Sequence, residues 1–264
     1  MIDCHTHLTS QAFSADRAAV LDRAVAGGVE YMAIVGQDPA ENLGVLGAAV
    51  ADGRLLPFLG LHPDRFADRA PVADEAMVRA VLDMIRESAP HIRGIGEVGL
   101  DHWVTQDPAL REQQHAAFRR IVALAEELDL PLNVHSRSAG RHTIDLLLTA
   151  GATRVLMHAF DGKAGHALRG AEAGFLFSIP PSVVRSPQKQ KLIRALPLEA
   201  LALETDSPVL GPEQGARNEP ANLVISRDAI AQIKGLAPEA VAEQTVVNTW
   251  RVFGAPPVRA RSIG

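Results

Sequence analysis

Short apolar runs and helical patterns alternate through this chain eight times, and that rhythm restricts its architecture more than any other feature. The apolar runs are Met1–His7, Tyr31–Val35, Leu55–Leu61, Ile92–Leu100, Pro131–His135, Arg154–Ala159, Gly174–Ile179 and Leu201–Thr205. Between them, Ser14–Ala26, Pro39–Ala51, Asp74–Ser88, Asp107–Leu128, Gly140–Ala150, Lys163–Ala173 and Gln188–Leu196 carry apolar residues at helical spacing. Gly27-Gly28 stops the first helix, and Asp107-Pro108 reads as a cap with proline in the first turn. Two more helices, Asn222–Lys234 and Pro238–Val252, are expected to complete the outer ring, and Gly254–Gly264 to fray.

Short buried strands joined by helices imply a parallel sheet covered on both faces. Eight such units in 264 residues fit one closed (β/α)8 barrel of the TIM type spanning residues 1–264. A doubly wound open sheet is the other candidate. No glycine-rich phosphate loop follows the first strand to favour it, and no internal linker interrupts the pattern.

Barrel enzymes place their chemistry where strands end at the C-terminal face. In the first strand Asp3, His5 and His7 alternate with Ile2 and Cys4, so they are expected on one face. Later strand ends supply His62, Glu97 with Asp101, His135, His158, and Glu204 with Asp206. Ionisable groups in otherwise apolar strands are costly to bury unpaired. Their recurrence therefore points to a metal site. His5, His7, Glu97, His135, His158 and Asp206 are too many ligands for one tetrahedral ion with an open position. They suit two divalent ions a few ångströms apart, joined by a carboxylate. No lysine lies in a proposed strand, which leaves Glu97, flanked by Gly94, Gly96 and Gly99, as the bridge. Those glycines are expected to let backbone and metal approach closely.

Six segments together resemble the TatD family of metal-dependent hydrolases. They are Asp3-Cys4-His5-Thr6-His7-Leu8, Gly60-Leu61-His62-Pro63, Gly96-Glu97-Val98-Gly99-Leu100-Asp101, His135-Ser136-Arg137, His158-Ala159-Phe160 and Glu204-Thr205-Asp206-Ser207-Pro208. Arg217-Asn218-Glu219-Pro220 resembles the loop that follows in that family. The resemblance implies an amidohydrolase-like barrel with two divalent ions (Zn²⁺, Mn²⁺ or Mg²⁺) and hydrolysis of DNA phosphodiesters, in exonuclease fashion on single strands. It implies that His5, His7 and Asp206 hold one ion, that His135 and His158 hold the other, and that Glu97 bridges. Asp206 and Glu97 take the catalytic roles, Asp206 by accepting the proton of the attacking water. Ala159, Asp161-Gly162 and Ser178-Ile179-Pro180-Pro181 depart from the family's usual residues, and these departures bear on the pocket wall.

Around that set, His62 is expected to touch substrate or back a ligand, and Arg137 to clamp phosphate or lie on the surface. Asp3 is expected to orient a ligand histidine. Asp101 and Glu204 would do the same or cap their loops. Trp103 would stack on a base or simply pack. His91, His102, His115, His142 and His166 read as surface or loop residues, Phe13, Phe66 and Met77 as core, and Glu219 as part of a turn or a contact for the substrate end.

Net charge of −5 argues against a broadly basic DNA-binding face, so ions and local arginines must supply the positive field. The single cysteine, Cys4, excludes an intrachain disulfide and a Cys-rich zinc module. With neither a leader-like segment nor a membrane span apparent, a cytoplasmic monomer is expected. Two other function classes share these residues: a hydrolase of a carbon-centred ester, lactone or amide, including D-aminoacyl-tRNA, and a non-catalytic barrel scaffold.

Overall fold

The computed structural model describes residues 1–67 and 73–257. Among them eight parallel strands pair in sequence order, β1 (Ile2–Thr6), β2 (Tyr31–Val35), β3 (Leu55–Leu59), β4 (Gly94–Gly99), β5 (Leu132–His135), β6 (Val155–Met157), β7 (Leu176–Ile179) and β8 (Leu201–Leu203). The helices are α1 (Arg17–Ala26), α2 (Pro39–Ala51), α3 (Glu75–Ser88), α4 (Pro108–Glu127), α5 (Gly140–Ala150), α6 (Ala164–Glu172), α7 (Pro187–Ala195), α8 (Leu223–Lys234) and α9 (Pro238–Phe253). The expected (β/α)8 order is therefore the observed one. The part of the expected frayed tail beyond residue 257 lies outside the described residues.

Local chemistry sets the helix starts. Asp38, Asp74 and Asp107 accept backbone N–H groups at the first turns of α2, α3 and α4, with prolines opening α2 and α4. Strands end earlier than their apolar runs. β3 stops at Leu59 because Gly60-Leu61 already turns toward His62, whose ring opens a short 3-10 turn with Nδ1 2.8 Å from Asp64 Oδ1.

Closure of the barrel involves the site itself. Asp206 N–H donates to the His5 carbonyl and His7 N–H to the Ser207 carbonyl, at 2.9 and 2.8 Å. The Asp3 carboxylate accepts from Thr205 N–H and Thr205 Oγ. The β1–β2 register shifts between Asp3 and Thr6, three residues of β1 facing two of β2, so simple alternation ends there.

Most apolar side chains fill the layer between sheet and helices, including Phe13 and Phe66, with Met77 packed against it. A smaller cluster joins Ile2, Cys4, Ala33, Leu56, Phe58, Leu156, Leu176 and Ala202, residues from six strands, with Val252 and Phe253 of α9. Residues drawn from around the sheet meet only inside the barrel. The end of α9 therefore plugs the interior, a role beyond the ring-closing one expected of it. No helix among the described residues is long and apolar enough to cross a membrane.

Candidate metal centre

All six expected ligand residues converge at the barrel mouth, across a sequence span of two hundred positions. Glu97, within the C-terminal half of β4, is buried at the centre. Its Oε2 faces His5 Nε2 at 3.7 Å and His7 Nε2 at 3.4 Å. Its Oε1 faces His135 Nδ1 at 2.9 Å, His62 Nε2 at 3.3 Å and His158 Nε2 at 3.7 Å. Asp206 completes the ring, with Oδ1 3.6 Å from His5 Nε2 and 3.4 Å from His7 Nε2, and Oδ2 4.0 Å from His158 Nε2.

The donor set fits divalent ions. Ligand atoms of His5, His7 and Glu97 lie within 4.8 Å of one another, as do those of His5, His158 and Asp206, and those of His62, Glu97 and His135. His62, expected to touch substrate or back a ligand, thus stands among the potential ligands. His158 groups with His5 and Asp206 while also facing the Glu97 oxygen that His135 approaches. Mixed imidazole and carboxylate donors suit Zn²⁺ or Mn²⁺ better than an all-oxygen cation site would.

A second ring of side chains fixes the imidazoles. His158 Nδ1 lies 2.9 Å from Glu204, which also accepts from Ala159 N–H and Ser178 Oγ. His135 Nε2 lies 3.1 Å from Asp101. Asp101 accepts Trp103 and Val104 N–H as well, so it both orients a histidine and caps its loop. Asp3 does not orient an imidazole as expected. Its carboxylate is committed to the His5 and Thr205 backbone N–H groups and the Thr205 hydroxyl. His5 Nδ1 is instead held by Asn133 Oδ1 at 2.8 Å. The Asn133 amide donates to the Cys4 carbonyl, which fixes its orientation, makes His5 Nδ1 the donor and leaves Nε2 free as a ligand. Asn133 carried no signal in the sequence beyond being a polar residue inside an apolar strand.

The neighbouring glycines serve packing. A Cβ on Gly96 would sit 2.6 Å from Asn133 Cβ, and one on Gly60 2.4 Å from the Glu97 carbonyl oxygen. Neighbouring strands leave no room for side chains at these positions. Asp206 at the end of β8 and Ala159 after β6 hold positive φ, +54° and +37°, which turns the chain sharply at the rim.

Charge is divided to match. Burial raises the Glu97 carboxyl, but His62, His5 and His135 overcome it and hold it well below the usual carboxylate range. Burial lowers His5 to about 3. For His158 and His62 burial acts in the same direction but loses. Glu204 and Asp206 lift His158 to about 9, and Glu97 and Asp64 lift His62 to about 10.

Above the ring lies a cavity of about 620 Å³, open to solvent. Arg137, Arg185 and Lys189 line its wall, with Gln37, whose amide donates to Glu97 Oε2 at 3.2 Å. Lys189 Nζ donates to the Ala159 and Phe160 carbonyls and so ties α7 to the loop after His158. Arg137 lies over the ring of Trp103, its Cζ 5.2 Å from the centroid, and Trp103 is 61% exposed instead of packed. Glu219 keeps away from the cavity and pairs with Arg23, so its turn reading holds. Gln37, Arg185 and Lys189 were not visible as site residues in the sequence, because nothing local places their loops at the mouth.

A parallel eight-stranded barrel with a buried ring of imidazoles and carboxylates at its mouth defines a metal-dependent hydrolase. The chain belongs to the TatD family: the family model described as TatD related DNase matches residues 2–254. It is 42% identical over 261 residues to the human protein named Deoxyribonuclease TATDN3, covering 96% of this chain and 94% of that one. It is 30% identical over 265 residues to the Klebsiella pneumoniae protein named 3'-5' ssDNA/RNA exonuclease TatD, covering 96% and 98%. The crystal structure of YJJV, a TatD homolog from Escherichia coli, superposes with a TM-score of 0.87 at 27% identity, covering 97% of this chain and 98% of that one.

Proposed function

We propose that this protein hydrolyses phosphodiester bonds in DNA with two divalent ions, acting on single strands from an end. The observation that carries the reading is the division of labour at Glu97. One carboxylate oxygen faces His5 and His7, and the other faces His135, His62 and His158. Such a carboxylate is suited to bridging two cations. The names of the human and Klebsiella relatives support the substrate class.

In this reading His5, His7, Glu97, His135, His158 and Asp206 hold the ions, with His62 next to them. Two divalent ions so held would supply Lewis acidity to a phosphoryl oxygen and would acidify a water molecule. The chain's own residues do the rest. Asp206 Oδ accepts the proton of the attacking water. Arg137, beside the exposed Trp103, grips a substrate phosphate as a planar charged donor. Asn133, Glu204 and Asp101 keep the imidazole nitrogens aimed inward. The whole barrel acts as one unit and as a monomer, and the buried free thiol of Cys4 fits a reducing cytoplasm.

The test is a divalent-metal screen with single-stranded DNA, scoring mononucleotide release against internal cutting, beside an ester and a lactone at equal metal loading. Metal-dependent release of mononucleotides is the expected result. DNA left intact under every metal, with the ester or lactone cleaved, replaces the proposal with a carbon-centred hydrolase.

A further inference from the structure

We propose that His102, His115 and His142 form an auxiliary binding site for a nitrogen-preferring divalent transition-metal ion such as Zn²⁺, outside the barrel mouth. His102 lies in the turn after β4, His115 in the middle of α4 and His142 in the first turn of α5. Their convergence is thus tertiary. His102 Nε2 and His115 Nε2 stand 3.3 Å apart. Two nitrogens bound at 2.0–2.1 Å to one tetrahedral ion are separated by about 3.3 Å. The same 3.3 Å separates His5 Nε2 from His7 Nε2 at the barrel mouth. The His142 ring centroid lies 5.0 Å from that of His102 and 6.2 Å from that of His115. His142 is exposed, and a third nitrogen from it would require a change of rotamer.

The surroundings favour neutral ligands. Burial, with Arg111 and the other two histidines, lowers His102 to about 4, and burial likewise lowers His115. Arg111 and Arg119 oppose a cation here, while Asp101 and Glu112 favour one. An all-imidazole set selects Zn²⁺, Cu²⁺ or Ni²⁺ over Mg²⁺ and Mn²⁺. An ion at this place would tie α4 and α5 to the β4 turn. It would stand one residue from Asp101, which holds His135. His102 N–H also donates to the carbonyl of Arg137, on the cavity wall. The site is therefore placed to stiffen that wall.

Equilibrium dialysis of the full chain against Zn²⁺, with metal content counted per chain, decides the matter. The expected result is one zinc more in the wild type than in His115→Ala/His142→Ala, with the same difference when both carry Asp206→Asn. Dialysis against Mg²⁺ should give no difference. His102→Gln/His115→Gln, which retains polarity and size, should lose the same one equivalent, so that misfolding of the alanine variant cannot mimic the result. Equal zinc content in the wild type and the glutamine variant would overturn the proposal and leave an ordinary N–H···N bond between the two rings.

Discussion

Asn133 offers the sharpest test of how the site is assembled. Asn133→Leu keeps the heavy-atom count and branching of the side chain but strands two buried groups, the His5 Nδ1–H and the Cys4 carbonyl, each in contact with the Asn133 amide at 2.8 Å. All three residues have no solvent exposure. An unsatisfied buried polar group costs about 1–3 kcal/mol, so about 2 kcal/mol is the low end of the expected loss. In a chain of this size 1 kcal/mol moves Tm by about 2–4 °C, giving a fall of at least about 4 °C for the metal-free protein. The second effect falls on the ion. With its Nδ1 partner gone, His5 loses its fixed tautomer, and metal affinity should drop about 10–100-fold. Chelator competition measures the affinity and thermal unfolding of stripped protein measures the stability. Asn133→Asp separates the two: it keeps the acceptor for His5 and loses the donor to Cys4, so affinity should hold while stability falls. An Asn133→Leu protein that binds Zn²⁺ as tightly as wild type would refute the orienting role.

Three further outcomes follow from the same geometry. Asp206→Asn should cut turnover by about 10²–10⁴-fold while the fold persists; a near-normal rate with metals bound would remove Asp206 from proton transfer. Arg137→Ala should raise KM for single-stranded DNA about tenfold with kcat little changed, the loss of about 1.4 kcal/mol of charge-assisted contact. Equal KM values would return Arg137 to the surface. The third concerns pH. In metal-free protein His158 and His62 are lifted from 6.5 to about 9 and about 10, so their stabilising contribution is complete below about pH 6.5 and disappears as pH rises through those values. Stripped protein should therefore lose stability across that window, and metal loading at pH 8 should release protons. A flat stability profile together with proton-free loading would contradict the charge arrangement.

The sequence by itself determined the strand–helix rhythm, the barrel and the candidate ligand residues. Those depend on local periodicity and on residue types too costly to bury without a partner. His5, Glu97, His135, His158 and Asp206 were legible because each ends an apolar strand. Tertiary structure alone decided the rest. Asp3 looked like an orienting group by alternation, but barrel closure against the β8 end gives its carboxylate to Thr205, and Asn133 from β5 takes the task. His62 moved in among the potential ligands because β3 ends early. Arg185 and Lys189 reach the cavity through a helix-bearing loop whose path no local pattern encodes. His102, His115 and His142 looked like scattered surface residues and became a cluster only when α4 and α5 packed side by side. Periodicity fixes which face of an element is buried; which foreign side chain meets that face depends on the closure of the whole barrel.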